Sequence, residues 1–231
     1  MEQESKYNII NFDPEVLREY DIRGVVDKNI TEDTAYTIGR VFGHVVSSKM
    51  KSNNIAVGFD GRLTSPKLFQ ALSIGLKHSG SKVMNIGMCP TPMLYFADYH
   101  LKTDAAIMIT GSHNPSEYNG FKMVLNKHSF FGNNIQNFQS IVSNEVLDIK
   151  DGEIINNFIL DDYVNRLLKN ISIKKNLKIS WDIGNGAMGV IIDKLISKLQ
   201  NTENILINKE VDGNFPNHHP DPTIPKNMEQ L

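Results

Sequence analysis

The stretch Asp104-Ala-Ala-Ile-Met-Ile-Thr-Gly-Ser-His-Asn-Pro115 decides how this sequence is interpreted. Its apolar part, residues 104–110, is typical of a buried strand. Ser112 therefore follows the carboxyl end of a strand, which is the edge where open α/β sheets bind ligands. Thr110 and Gly111 are small enough to let the backbone approach a ligand, and Pro115 fixes φ and ends the turn. Such a loop can present backbone N–H groups to an anion.

Helical and strand patterns alternate along the rest of the chain, as a doubly wound α/β fold requires. Predicted helices begin near Thr31, Ser65 and Thr91, and predicted strands cover residues 55–59, 82–86 and 120–125. A fourth helix carries its apolar face over residues 135–142, and a later helix is predicted over residues 190–199. The first part is predicted to be a mixed, mostly parallel sheet sandwiched by helices.

A polar stretch interrupts the alternating pattern at Asp148-Ile-Lys-Asp-Gly152. We therefore predict two domains, residues 1–155 and residues 156–231, the second an incomplete α/β domain of similar type. Asp161 and Asp162 precede a helical pattern, so we interpret them as the first turn of a helix, where acidic side chains are favourable. A chain of 231 residues has room for one large or two modest domains.

Composition excludes several classes of function. The chain carries 24 Lys and Arg against 26 Asp and Glu, so no overall basic field favours nucleic acid or an anionic membrane. The amino end lacks a signal-peptide pattern and no apolar run approaches transmembrane length, which favours a cytoplasmic location. Cys89 is the only cysteine, so an intrachain disulfide is excluded and the residue is expected to pack rather than react.

Charged residues follow two other turns. Arg23 lies in Arg18-Glu-Tyr-Asp-Ile-Arg-Gly24, and its guanidinium is a candidate to donate two parallel hydrogen bonds to phosphate oxygens. Asp60 and Arg62 follow the predicted strand 55–59. Each segment is also compatible with an ordinary surface turn. His113 cannot form a hydrolytic pair with its neighbour Ser112, because adjacent residues rarely face each other.

Taken together, these segments resemble the α-D-phosphohexomutase superfamily, and within it the bacterial phosphomannomutase/phosphoglucomutase branch. The resemblance covers the chain from about Phe12 onward. The segments that carry it, in the family's order, are Tyr20-Asp-Ile-Arg-Gly24, Gly58-Phe-Asp-Gly-Arg62, Pro90-Thr-Pro92, Thr110-Gly-Ser-His-Asn-Pro115, Tyr118-Asn-Gly-Phe-Lys122, Asp182-Ile-Gly-Asn-Gly186 and Val211-Asp-Gly-Asn-Phe-Pro-Asn-His-His-Pro-Asp-Pro222.

The resemblance implies that phosphorylated Ser112 gives its phosphoryl group to a hexose monophosphate and is phosphorylated again by the resulting hexose 1,6-bisphosphate. Arg23 and Lys122 would stabilise charge beside the transferring group. His113 and Asn114 would shape the loop and Arg62 would brace it, with Tyr20 and Asp60 as further support. The family also implies Mg²⁺, with the Ser112 phosphate as one metal ligand.

Three further motifs of the family do not occur in this sequence: an Asp-Gly-Asp-x-Asp-Arg metal loop, a sugar-reading Gly-Glu-x-Ser-Gly-His loop and a last phosphate-binding loop. We therefore expect a fragment that needs the missing carboxy-terminal part as a partner and has no useful mutase activity alone. A remnant that binds sugar phosphates without catalysis is the alternative. His218-His219 is interpreted as a loop pair rather than a substitute metal site.

A second alternative depends on Gly184-Asn-Gly-Ala-Met-Gly189, which follows a predicted strand and has the form of a dinucleotide-binding fingerprint. Glu210 lies at about the separation at which an acidic residue meets the ribose. This pattern would indicate an NAD-binding oxidoreductase. In the phosphohexomutases a similar Gly-Asn-Gly turn serves backbone packing in the second domain, so the same residues fit both interpretations.

Overall fold

The structure is a computed structural model that describes residues 6–231. Its strands are β1 (Ile22–Val25), β2 (Asn54–Phe59), β3 (Lys82–Met88), β4 (Ala105–Ile109), β5 (Tyr118–Leu125), β6 (His128–Phe130), β7 (Glu153–Asn156), β8 (Leu177–Asp182) and β9 (Thr202–Ile207). Its α-helices are α1 (Glu32–Lys49), α2 (Ser65–His78), α3 (Thr91–His100), α4 (Asn133–Asn144), α5 (Leu160–Leu168) and α6 (Ile192–Ile196). Short 3₁₀ turns cover Ala187–Val190 and Pro225–Met228.

The first unit, residues 6–156, is built on a mixed sheet with the order β1-β5-β4-β2-β3-β7, and β6 pairs with β5. Strands β4, β2, β3 and β7 are parallel, whereas β1, β5 and β6 pair antiparallel. Strand β4 is buried along its whole length, which explains its continuous apolar sequence. The predicted mixed sheet with helices on both faces is confirmed.

Alternate residues of the central strands face two different cores. In β4, Ile107 and Ile109 join the core under α1, α2 and α4, while Met108 joins the core under α3. That second core also holds Tyr163 of α5 and Ile192 of α6. The second unit, residues 157–231, therefore packs against the first through α3 and shares its hydrophobic core.

Local signals fix the helix boundaries. Thr31 accepts from the Thr34 amide and forms the capping box of α1, as its position before Glu32 and Asp33 predicts. Helices α1 and α2 approach until a Cβ on Gly75 would overlap the backbone of Tyr36, so only glycine fits there. No helix of the described part of the chain combines the length and apolar character needed to cross a membrane.

The structure differs from the sequence predictions over residues 190–199 and at three short strands, β1, β6 and β7, that were not predicted. Residues 190–199 were expected to form one helix, but the chain makes a 3₁₀ turn and then the five-residue helix α6. Strand β7 was not predicted, because its short sequence Glu-Ile-Ile-Asn gives no clear alternation. It extends the first sheet to Asn156, the residue at which the predicted second domain begins.

Candidate active site

The serine loop, residues 110–118, follows β4 at the edge of the sheet where the parallel strands end. Ser112 has a φ of 55°, in the left-handed region. For a residue with a side chain this conformation costs roughly 1–3 kcal/mol and persists only where the surroundings impose it. The Ser112 amide donates to the Thr110 hydroxyl at 2.9 Å, and the Asn114 amide donates to the Gly111 carbonyl at 3.1 Å.

Three backbone amides of the serine loop, which we predicted could face an anion, are engaged within the protein. The N–H groups of Gly111, Ser112 and Asn114 all donate within the protein, the first to Asp60 at 3.3 Å. The loop carbonyls instead point inward, toward a buried cation. The loop carbonyls therefore hold Ser112 in place, and these three amides are not available to an anion.

That buried cation is Arg62, whose side chain is 1% exposed. Its guanidinium donates to four carbonyl oxygens of the serine loop: Ser112 at 3.0 Å, Asn114 at 2.7 Å, Pro115 at 2.6 Å and Tyr118 at 3.0 Å. A Cβ on Gly111 would overlap the guanidinium, so glycine is required at this position. Burial lowers the pKa of Arg62, and the Asp60 carboxylate opposes that shift.

Asp60 ties Arg62 to the neighbouring helix. Its carboxylate lies 3.3 Å from Arg62 Nε and accepts from the Ser65 hydroxyl, at the start of α2, at 2.6 Å. The same carboxylate accepts from the amide of Arg62 at 3.1 Å. Asp60 and Arg62 thus form one hydrogen-bonded support beneath the serine loop.

A second charged group contains Arg23 and Lys122. Strands β1 and β5 pair antiparallel, with Ile22 opposite Phe121, and this register sets Arg23 and Lys122 on either side of Asp21. The Asp21 carboxylate accepts from both cations, from Lys122 Nζ at 2.8 Å. Its side chain is 8% exposed, against 19% for Arg23 and 30% for Lys122. Two cations share one buried anion, so the group keeps a net positive charge.

Sequence reasoning missed Asp21. The available signal was its position two residues before Arg23, close enough in the chain for the two side chains to meet. The segment was also compatible with a surface turn; residues 19–21 do form a bend, and residues 22–25 form the edge strand β1, which was not predicted. Tyr20 is 73% exposed, so most of its ring faces solvent.

A cleft of about 380 Å³ lies between the two units. The residues of the first unit that line it include Asp60, Thr91, Thr110, Ser112 and His113, and those of the second unit include Asp182, Gly184, Phe215, His218 and Asp221. Arg23 and Lys122 are not among its lining residues. Cys89 touches the cleft but is fully buried, and burial raises the pKa of its thiol to about 12, so it packs as expected.

His218 is held on the second unit's side of this cleft. Nδ1 lies 3.0 Å from the His219 carbonyl, and Nε2 lies 2.9 Å from the Asp182 carboxylate. Both ring nitrogens are therefore occupied within the protein, as the loop-pair interpretation predicts. Within residues 6–231, no group of three or more His, Cys, Asp or Glu side chains could hold a metal ion.

The pH dependence of the unfolding free energy tests whether the contacts of His218 stabilise the fold. The His219 carbonyl and, more weakly, Asp182 raise the pKa of His218 against the opposing effect of burial. A raised pKa in the folded state gives stability that is complete below about pH 6.5, the ordinary histidine value, and is lost as the pH rises through the raised value. Wild type should exceed His218→Gln in unfolding free energy by about 1 kcal/mol at acidic pH, the net contribution of one hydrogen bond.

That advantage should shrink at alkaline pH, measured by urea unfolding across the pH range. His128→Gln is the control, because His128 is exposed in the β5–β6 hairpin. A difference between wild type and His218→Gln that does not vary with pH would contradict the prediction.

The glycines of the alternative dinucleotide site are used for packing. The amide of Gly184 donates to Asp182, and the amide of Gly186 donates to the Ile183 carbonyl. The amide of Gly189 donates to the Gly186 carbonyl, and a Cβ on Gly189 would lie 2.7 Å from Val211 Cγ2. The turn enters the short 3₁₀ segment Ala187–Val190 instead of a long helix whose amino end could bind a pyrophosphate. The geometry therefore favours the packing interpretation.

Comparisons with known proteins agree with this architecture. The family model described as phosphoglucomutase/phosphomannomutase, alpha/beta/alpha domain I, matches residues 14–145, and the corresponding domain II model matches residues 161–231. The chain is 42% identical over 223 residues to a phosphoglucomutase from Neisseria meningitidis and 43% identical over 216 residues to a phosphomannomutase/phosphoglucomutase from Pseudomonas putida.

These alignments cover 96% and 94% of the chain but 48% and 46% of the two relatives, so the chain spans about half their length. A solved structure of a phosphoglucomutase/phosphomannomutase family protein from Burkholderia thailandensis superposes with a TM-score of 0.88 at 37% identity. That superposition covers 95% of this chain and 49% of the other. The open form of a phosphoglucomutase from Paramecium, at 16% identity and a TM-score of 0.70, shares the fold; it covers 92% of this chain and 46% of that one.

Proposed function

The chain belongs to the phosphoglucomutase/phosphomannomutase family, and from that premise we propose that it carries the phosphoserine of a phosphohexomutase. The observation that supports this function most directly is the geometry of Ser112. Ser112 has a left-handed backbone conformation, and its loop is held by four hydrogen bonds from the buried Arg62. The Ser112 side chain lines a cleft. A loop held in this way keeps its hydroxyl in one position, as repeated phosphoryl transfer requires.

The proposed reaction interconverts hexose 6-phosphate and hexose 1-phosphate in two transfers. A free hydroxyl of the bound hexose monophosphate attacks the phosphorus on Ser112. The bond from phosphorus to Ser112 Oγ breaks as the new phosphate ester forms, and the proton lost by the sugar hydroxyl is balanced by protonation of Oγ. The resulting hexose 1,6-bisphosphate turns over, and Oγ then attacks its other phosphorus. The bond from that phosphorus to the sugar oxygen breaks, and the proton lost by Oγ is balanced by protonation of that oxygen, so the net change moves phosphate between C6 and C1.

The charged side chains that the family resemblance names would supply charge and position for the transfer. Arg23 and Lys122 would stabilise negative charge on the transferring group, because the transition state of phosphoryl transfer is catalysed mainly by positioning and electrostatics. Asp21 would keep both cations in place between turnovers. His113 and Asn114 would shape the loop, while Asp60 and Arg62 hold it from beneath.

Magnesium is part of the family resemblance, but the side chains of this structure do not form a site for it. The two most buried cleft carboxylates are already engaged: Asp60 with Arg62 and Ser65, and Asp182 with His218 and the Gly184 amide. A magnesium ion on the Ser112 phosphate would need its other ligands from elsewhere, so we assign it no step here. The missing carboxy-terminal partner, the bisphosphate and a cytoplasmic location also stay predictions.

Phosphorylation by the bisphosphate distinguishes the mutase from a remnant that only binds sugar phosphates. Incubation of the chain with glucose 1,6-bisphosphate and Mg²⁺, with the carboxy-terminal half of a family member supplied where the chain alone does not react, should add one phosphate at Ser112, located by mass spectrometry of the peptides. Ser112→Ala should remove the label completely, whereas Ser116→Ala, an exposed serine of the same loop, should keep it. Binding of the bisphosphate without a phosphorylated serine would favour the remnant, and label on another serine would refute the assignment.

A further inference from the structure

The face of the Arg62 guanidinium is covered by the second unit. The guanidinium nitrogens contact the four loop carbonyls and the Asp60 carboxylate. The ring of Phe215 covers one face, with the guanidinium carbon 5.3 Å from the ring centroid, within the range of a cation–π contact. Phe215 lies 153 residues after Arg62 in the sequence, so this contact is made only in the folded chain.

The backbone that carries Phe215 is held in an unusual conformation. Phe215 has a φ of 52°, which is a true outlier for a bulky residue. Its amide donates to the Asp212 carbonyl at 3.0 Å, and the Asp212 amide donates to the Asn185 carbonyl at 3.0 Å. The 212–215 turn is therefore tied to the Gly-Asn-Gly turn after β8, and the strain indicates that the position of the ring matters.

Glycines allow this turn to reach the first unit. A Cβ on Gly213 would lie 2.6 Å from the backbone nitrogen of Leu63 and 2.9 Å from Arg62 Cα. On the other side of the contact, a Cβ on Gly61 would overlap the Val211 side chain. The backbones of the two units thus approach so closely around Arg62 that only glycine fits at positions 61 and 213.

From these contacts we propose that the 212–215 turn of the second unit positions Ser112 through Arg62, with Phe215 as a positioning residue for phosphoryl transfer. The inference rests on the proposed function for its kinetic consequence, but not for its structural one. Phe215 contacts the guanidinium and limits its movement, and the loop carbonyls that the guanidinium binds hold Ser112 in its left-handed conformation. Movement of the second unit relative to the first would therefore alter the serine loop.

Replacement of Phe215 by leucine removes the aromatic face and keeps an apolar side chain. The initial rate of Ser112 phosphorylation at saturating glucose 1,6-bisphosphate should fall by at least about fivefold, with little change in the half-saturating concentration. Hydrogen exchange at the amides of residues 111–118 should become faster. Phe215→Tyr retains the π face and should restore both values, whereas Phe158→Leu, at a phenylalanine that is 92% exposed, should change neither.

The two readouts separate this inference from the function on which it rests. If wild type is not phosphorylated, the proposed function fails, while the exchange measurement still tests the link from Phe215 to the loop. Exchange in Phe215→Leu that equals wild type, or no recovery in Phe215→Tyr, would overturn the inference. Melting temperatures of Phe215→Leu and Phe215→Tyr check that the variants fold. If Phe215→Leu is destabilised, the test is the comparison of Phe215→Tyr and Phe215→Trp with wild type. Both aromatic variants should match the wild-type rate, and a slowed rate in both would overturn the proposal.

Discussion

Replacement of Arg62 by lysine is expected to lower the rate of Ser112 phosphorylation by at least about a hundredfold, equivalent to roughly 2.7 kcal/mol of barrier. The guanidinium donates to four loop carbonyls in one plane, and a lysine ammonium is a compact group with three donors that cannot reproduce that fork. Some carbonyls would lose their hydrogen-bond donor, and each buried group left unsatisfied destabilises the folded state by roughly 1–3 kcal/mol. Ser112 would then be free to leave its left-handed conformation.

The rate of phosphate incorporation from glucose 1,6-bisphosphate measures this effect, with the melting temperature as a check on folding. Arg166→Lys is the matched control, because Arg166 is exposed on α5 and should leave the rate unchanged. A normal rate in folded Arg62→Lys would show that the charge alone supports the serine loop. It would also remove the route by which Phe215 could act.

Removal of either cation at Asp21 is expected to lower phosphoryl transfer by at least about tenfold, or roughly 1.4 kcal/mol of barrier. In Arg23→Ala or Lys122→Ala the remaining cation is neutralised by Asp21, so the positive charge available to the transferring group disappears. The measurement is mutase turnover in a full-length family context, together with Ser112 phosphorylation of this chain. Lys28→Ala, at an exposed lysine close to β1, is the control.

Asp21→Asn changes the charge of the same group in the opposite direction, because it removes the anion instead of a cation. The isosteric amide retains a polar partner but leaves two cations without their anion, so the affinity for inorganic phosphate should rise while transfer slows. Near-normal transfer by both single cation variants, with folding intact, would place Arg23 and Lys122 outside the site and refute the proposed roles.

Local sequence was sufficient for much of the fold. The capping box at Thr31, the acidic first turn of α5 and the continuous apolar run of β4 each depend on neighbours a few residues away. The same local pattern placed Ser112 after β4. Such signals report which face of an element is buried and where the element ends, because periodicity and turn chemistry are properties of short segments.

Family resemblance named most of the residues around Ser112, but only the tertiary structure shows what they contact. The β1–β5 register brings Asp21 to Lys122, which is 101 residues away, and the second unit brings Phe215 to Arg62. Pairing between distant segments depends on the sum of many long-range contacts, and no short window of sequence contains that sum. The sequence by itself thus determined most of the elements and the position of the serine, whereas the tertiary structure decided which charges and rings hold it.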